Sequence, residues 1–374
     1  MLQLCPALMD WLLFLTMFAI LYGAGARGFS PAQWMWLGSL MQLTYLVSSL
    51  ATGHLLTPRN TRPLLLGSTV ICIALMAAAL WAETFVALAV LSAAIGLFAA
   101  IFFTAFQTFM RHVASPDELP RTAALYTCSW SIGAGLGFLS AGALYAFGPA
   151  ALTALTLLVG GLTFAILLAH RAPEHATTAI EPDAGAPHTA HVPEAIRRRY
   201  VWIGWLLIFV VVFALRPIQN FLPPLGAQAG HSALWTTLPL FLQIMLQGLA
   251  GYAMHTQTRW LYRRAPLVLL QLAAALIFVV LAFVPAGALF GLPLVGLWCG
   301  YAYFQAVYYA SNAGRRAWNL GINEFLVGAA SLGSLFLVEL LMQQTAQPET
   351  ALYLCAAASL GLAACALIWL APRR

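Results

Sequence analysis

Apolar stretches of about twenty residues follow one another from residue 8 to residue 371, cut by arginines, prolines and small polar clusters. A hydrocarbon layer roughly 30 Å thick takes about 20 apolar residues per helical crossing, so a dozen crossings need ~240 positions. The chain has them, for 62% of its 374 residues are hydrophobic. Only 7% are charged, where a soluble domain carries roughly 25%. Water is thereby excluded as the solvent of this fold, and an all-α integral membrane protein is expected.

Cutting the apolar runs at Arg, Pro and polar clusters predicts spans near 8–26, 32–56, 63–82, 85–110, 121–147 and 149–170. A second set follows near 200–221, 233–255, 266–284, 286–312, 318–342 and 351–371. Between the sets, residues 171–199 carry Glu174, Glu181, Asp183, Glu194, several prolines and three histidines, too polar to bury a core. The expected organisation is a six-helix bundle over 1–170, a cytoplasmic linker over 171–199 and a second six-helix bundle over 200–374.

All seventeen basic residues are arginine. With the N-terminus in the cytoplasm every one except Arg27 and Arg216 falls on the inner side, which sets the orientation by the positive-inside rule. An even number of spans then places both termini in the cytoplasm, in a multi-pass protein of a bacterial inner membrane. The first apolar stretch lacks a basic leader and a small-residue cleavage site, so it is expected to remain as a span. Six scattered cysteines without a Cys-x-x-Cys pair read as small core residues.

The two sets echo each other. Gln42 and His54 of the second span recur as Gln243 and His255 of the eighth, both at an offset of 201, and each histidine precedes an arginine-rich loop. With this six-plus-six layout the chain resembles the major facilitator superfamily across essentially its whole length. The family's signature loop after the second span, Gly-x-Leu-x-Asp-Arg-x-Gly-Arg-Arg, is partly met by Gly53, Leu55 and Arg62. Thr57 stands where the acid belongs and Asn60 where the glycine belongs. Gly133, Gly135, Gly137 and Gly142 are similar to the family's fifth-span glycines, with Phe138 where drug and proton antiporters carry proline. Gly314, Arg315, Arg316, Asn323, Glu324 and Gly328 resemble the start of the eleventh span in little-characterised prokaryotic branches, which tend to have His before the Glu. The resemblance implies alternating access around a midplane cavity lined by spans 1, 4, 7 and 10.

Charge inside hydrocarbon costs ~2.5–3.5 kcal/mol even on insertion scales, which makes each intramembrane ion a functional candidate. Arg216 lies in the seventh span with Pro217 behind it, and that proline is expected to kink or end the helix and free carbonyls near Gln219 and Asn220. Either Arg216 holds a carboxylate or phosphate of a solute, with Gln219 and Asn220 adding polar contacts, or it pairs with Glu339 at a comparable depth. Glu324 either takes up a proton in the cycle or is held ionised as an inner gate by Arg121, Arg315 or Arg316. Asp10, near the start of the first span, is a further candidate for proton coupling, and Arg59 and Arg62 of the signature loop are gating candidates.

The tenth span is rich in aromatics, and Gln305, Tyr308, Tyr309 and Asn312 follow the i, i+3, i+4, i+7 spacing of one helical face. With Tyr301, and with Gln243 and Gln247 one turn apart on the eighth span, they form a candidate cavity lining for a partly apolar, hydrogen-bonding solute. Phe98, Phe102, Phe106 and Phe109 of the fourth span read as packing.

Without lysine there is no Walker motif and no direct drive by ATP. No metal-ligand spacing occurs, and no cofactor and no nucleic acid are expected. The expected protein is no enzyme but a monomeric secondary transporter, ion-gradient-driven or facilitative. Its solute would be small and polar or amphipathic, an organic anion or a sugar-like metabolite, with protons as candidate coupling ion. Two alternatives stand beside it: a membrane enzyme acting on lipids, and a transporter-like sensor or assembly partner.

Overall fold

The computed structural model describes residues 4–57, 59–111, 119–170, 192–311, 316–345 and 347–372. Among these residues there are twelve α-helices: α1 (Leu4–Ala26), α2 (Pro31–Leu55), α3 (Thr61–Ala79), α4 (Phe85–Arg111), α5 (Leu119–Leu144) and α6 (Pro149–Ala169), then α7 (Glu194–Gln228), α8 (Ala233–Ala253), α9 (Arg264–Phe283), α10 (Ala288–Ser311), α11 (Arg316–Gln343) and α12 (Pro348–Leu370). The fold is all-α, and eleven helices are long and apolar enough to cross a membrane.

The twelfth, α2, reaches about 37 Å at 1.5 Å per residue but carries many hydroxyls and amides. Two of those groups bond a neighbour. Thr44 Oγ1 donates to the Ala93 carbonyl at 2.7 Å and Ser48 Oγ to the Leu97 carbonyl at 2.9 Å, so α2 is glued to α4 by side chain to backbone bonds. At its start Ser30 and Gln33 close a capping box ahead of Pro31.

The chain divides into two compact units. The first comprises Met1–Val113, Ser129–Ala179 and Gln219–Phe241, and the second Ala114–Cys128, Ile180–Ile218 and Leu242–Arg374. In the first, α2 and α3 pack on α4, and α3 on α6; in the second, α9 packs on α12 and α10, and α10 on α11.

Both units seal equivalent crossings in the same way. A Cβ at Gly96 of α4 would collide with the Met41 carbonyl of α2, and one at Gly296 of α10 with the Gln243 carbonyl of α8. Phe102 and Phe106 stack at 6.0 Å on α4, while Phe304 and Tyr308 stack at 5.9 Å on α10. Arg62 Nη2, from the start of α3, donates at 3.0 Å to the Leu168 carbonyl ending α6. Arg264 Nη1, from the start of α9, donates at 3.1 Å to the Ile368 carbonyl ending α12. Open carbonyls and the negative end of the helix dipole explain why arginine serves at both places.

The seventh helix differs most from expectation. Pro217 does not end it, because α7 runs for 35 residues through Pro217, Pro223 and Pro224 to Gln228. A proline removes one backbone donor, and packing can carry the helix past it. Here Pro224 of the far end lies against Gly25 of α1, where no side chain larger than hydrogen fits, and Gly226 lies against Thr236 of α8. At the near end, residues 194–199, expected to close the linker, already form the first turns of α7.

Candidate functional site

Helix α7 is buried on most sides, yet Phe209, Phe213 and Arg216 form a partly exposed stripe along one face of it. In the second unit this stripe meets α11, where Arg216 Nε donates to Ser331 Oγ at 3.3 Å and Phe213 approaches Gly333. Ser331 also donates to the Val327 carbonyl at 2.7 Å, which fixes its lone pairs toward the guanidinium. From α10, the partly exposed Tyr303 lies within electrostatic reach of both Arg216 and Glu324. A cation and a hydroxyl thus meet between α7 and α11 of one unit, and the Tyr303 phenol of α10 stands in the field both of that cation and of the partly exposed Glu324 carboxylate.

Among the described residues no ion pair joins Glu339 to Arg216. The Glu339 carboxylate takes a hydrogen bond from the Gln343 amide one turn further along α11. Depth explains this, since Glu339 stands eight residues beyond Ser331, about 12 Å by helical rise. Glu324 lies seven residues before Ser331, on the other side of it.

The tyrosines of the expected cavity lining are packed instead into an aromatic cluster. Tyr308 and Tyr309 are almost wholly enclosed, with Tyr200 and Tyr262 against Tyr309 at 5.0 and 5.1 Å. Tyr309 accepts a hydrogen bond from the Tyr262 backbone N–H at 3.0 Å, bracing a residue whose φ of 59° is costly for a bulky side chain. Tyr301 is buried beside Trp260. Gln305, wholly buried, has neither amide atom hydrogen-bonded. Gln243 and Gln247 do meet, by a bond of 3.1 Å, and Cys299 of α10 lies beside Gln243. Asn312 lies outside the described residues.

The remaining candidates separate. Asn220 belongs to the first unit, is buried, and donates to the Trp34 carbonyl at 3.1 Å, while Gln219 beside it is partly exposed. Asp10 is buried in α1. Arg59 is exposed in the turn before α3, and Arg62 is the α6 cap. In that turn Thr57 and Asn60 bond reciprocally, the Thr57 N–H to Asn60 Oδ1 at 2.7 Å and the Asn60 N–H to Thr57 Oγ1 at 3.3 Å. The residues that depart from the signature therefore close the loop without a charge. Arg121 is exposed in the first turn of α5, and Arg316 opens α11 with its side chain outside the described residues. Arg315 lies outside the described residues too.

Residues 1–330 match the sequence profile of the Major Facilitator Superfamily. The chain belongs to that family. Among solved structures, this facilitator is similar to the human organic anion transporter MFSD10 (TETRAN), with a TM-score of 0.70 and 15% identity over 98% of each chain. It is also similar to the nucleoside transporter NupG, with a TM-score of 0.66 and 13% identity over 99% of this chain and 100% of that one. A third is a bacterial homologue of the human lysosomal transporter Spinster in an inward-facing, unoccupied conformation, with a TM-score of 0.64 and 16% identity over 99% and 95%. No curated protein matches the sequence. These likenesses establish a multi-pass membrane transporter fold, and at such identities they carry the fold alone.

Sequence inspection of this facilitator missed Tyr303 and Ser331. Tyr303 was one aromatic among many on α10 and lay off the chosen i, i+3, i+4, i+7 face. Ser331 gave no signal, since a serine in a membrane helix usually bonds its own preceding turn. The spacing of Phe209, Phe213 and Arg216 could have disclosed the stripe, because a charge in phase with two aromatics marks one helical face.

Proposed function

We propose that this major facilitator is a secondary transporter of a small organic anion with an apolar part, and that Arg216 is the group that recognises its charge. The partly exposed guanidinium within a membrane helix carries the proposal, since a membrane protein retains such a charge chiefly for a solute or a relay. Phe209 and Phe213 supply apolar area beside it. Tyr303 adds a hydroxyl that donates or accepts.

Glu324 gives the site a proton-responsive element. An ionised Glu324 competes electrostatically with the solute anion for the field of Arg216, and a protonated one does not, so anion binding and proton binding favour each other. Coupling of anion and proton movement in one direction follows. The two six-helix halves joined by residues 171–199 would rock around the solute, with both termini on the cytoplasmic face of a bacterial inner membrane and the protein acting as a monomer.

The test is thermal unfolding of purified protein against a panel of carboxylates, phosphates, nucleosides and sugars, with Arg216→Ala and Glu324→Gln alongside. A carboxylate or phosphate should raise the melting temperature of the wild type and of Glu324→Gln but not of Arg216→Ala. Stabilisation by a neutral sugar that survives Arg216→Ala would sink the proposal.

A further inference from the structure

At the end of the second unit where α7 and α9 begin and α12 stops, two arginines share one helix terminus. Arg199 Nη2 donates to the Trp369 carbonyl at 3.2 Å, and Arg264 Nη1 donates to the neighbouring Ile368 carbonyl at 3.1 Å. Bonds to adjacent carbonyls hold two like charges side by side. Among the described residues neither arginine meets a carboxylate, because the nearby Glu194 is occupied by Arg197 at 2.7 Å and Arg198 at 2.9 Å. Each guanidinium spends one N–H on its carbonyl and keeps most of its five donors.

Both arginines cap carbonyls that the helix end leaves open. In the first unit the equivalent terminus is closed by Arg62 on the Leu168 carbonyl and by the His170 ring on the Ile166 carbonyl at 2.9 Å. Arg264 is the counterpart of Arg62, and Arg199 puts a second guanidinium where the first unit has an imidazole. The surroundings are those of a membrane interface. The Trp369 side chain is 84% exposed and that of Trp202, one turn beyond Arg199 on the same face of α7, is 66% exposed. Indoles at this density sit at the headgroup level, with their rings toward the acyl chains.

We propose that Arg199 and Arg264 bind the phosphate of an anionic glycerophospholipid, whose acyl chains lie along Trp202 and Trp369. Paired guanidinium forks match phosphate oxygens in number and geometry, and the bound anion offsets the repulsion between the two charges. A zwitterionic headgroup neutralises its own phosphate and binds more weakly. The site is separate from Arg216 and stands whether or not that residue recognises a solute.

The experiment reads lipid carried by the full-length protein. Protein reconstituted in nanodiscs of phosphatidylcholine mixed with phosphatidylglycerol is extracted and weighed by native mass spectrometry, beside Arg199→Gln, Arg199→Lys and Arg62→Gln. The wild type should retain phosphatidylglycerol in preference to phosphatidylcholine, and Arg199→Gln should retain about fivefold less, the loss expected for one interfacial arginine. Arg199→Lys should recover part of it, and Arg62→Gln should match the wild type. Detergent-solubilised protein given inorganic phosphate separates the two sources of the anion, since any thermal stability it gains should persist in Arg199→Gln. Equal retention of phosphatidylglycerol by wild type and Arg199→Gln overturns the proposal, as does a wild type without preference or a stabilisation by phosphate alone that Arg199→Gln abolishes.

Discussion

The partly exposed stripe of α1, Trp11, Phe14 and Met17, is the first unit's counterpart of Phe209, Phe213 and Arg216 on α7. Each stripe is a partly exposed edge of its helix. Their chemistry differs. The polar atom of the α1 stripe, the Trp11 indole N–H, is taken by Ser140 at 2.9 Å, leaving an aromatic wall. The α7 stripe ends in a guanidinium bonded to Ser331 and within electrostatic reach of Tyr303. Meanwhile packing repeats closely, through Gly96 and Gly296, the Phe102–Phe106 and Phe304–Tyr308 stacks, and the Arg62 and Arg264 caps. The duplicated plan preserves what holds helices together, and the proposed recognition group belongs to one copy only.

The equality of packing breaks most easily at the stacked rings. Phe106→Ala and Tyr308→Ala should each lose about 3–5 kcal/mol, the usual result of emptying a buried aromatic site, as read by thermal unfolding in detergent. A Tyr308→Ala protein as stable as wild type would mean that this ring faces open space, contrary to its complete burial.

The inequality of chemistry predicts the next largest effect. Removing a charge-assisted hydrogen bond worth roughly 1.5–3 kcal/mol should cut solute affinity about 10- to 100-fold in Arg216→Ala. Trp11→Phe, which keeps the ring and deletes the N–H to Ser140, should change affinity little and stability by ~1 kcal/mol. Comparable losses of affinity from both variants would place recognition in both units. The helix caps sharpen the repeat at the smallest scale: Arg62→Gln and Arg264→Gln should each lower stability by about 1 kcal/mol or less, more so at low salt.

Most of the fold was legible because lipid imposes a simple rule, about twenty apolar residues per crossing. Observed helix bounds stay close to those read from the runs, α2 included. The α7 boundaries were not legible. Its ends depend on Pro224 seating against Gly25 and on Glu194 pairing with arginines one turn away, contacts that a hydropathy pattern does not contain. Arg216 and Glu324 were visible because isolated charges in hydrocarbon are conspicuous. The α10 face misled, because the sequence spacing places Gln305, Tyr308 and Tyr309 together without telling whether that face meets a cavity or other rings. Tyr309 meets Tyr200 and Tyr262. The offset that found Gln42 and Gln243 also links Phe106 to Tyr308, with one residue of slippage, and would have marked Tyr308 as packing.

The central claim is that solute crosses this protein and that the second copy's cation selects it. Solute counterflow into proteoliposomes, with the stabilising ligand inside and its labelled form outside, measures both at once. Wild type should accumulate label transiently, more strongly when the vesicles are buffered to protonate Glu324, and Arg216→Ala should not. Accumulation by Arg216→Ala at the wild-type rate would contradict the site, and binding without any counterflow in the wild type would contradict the carrier.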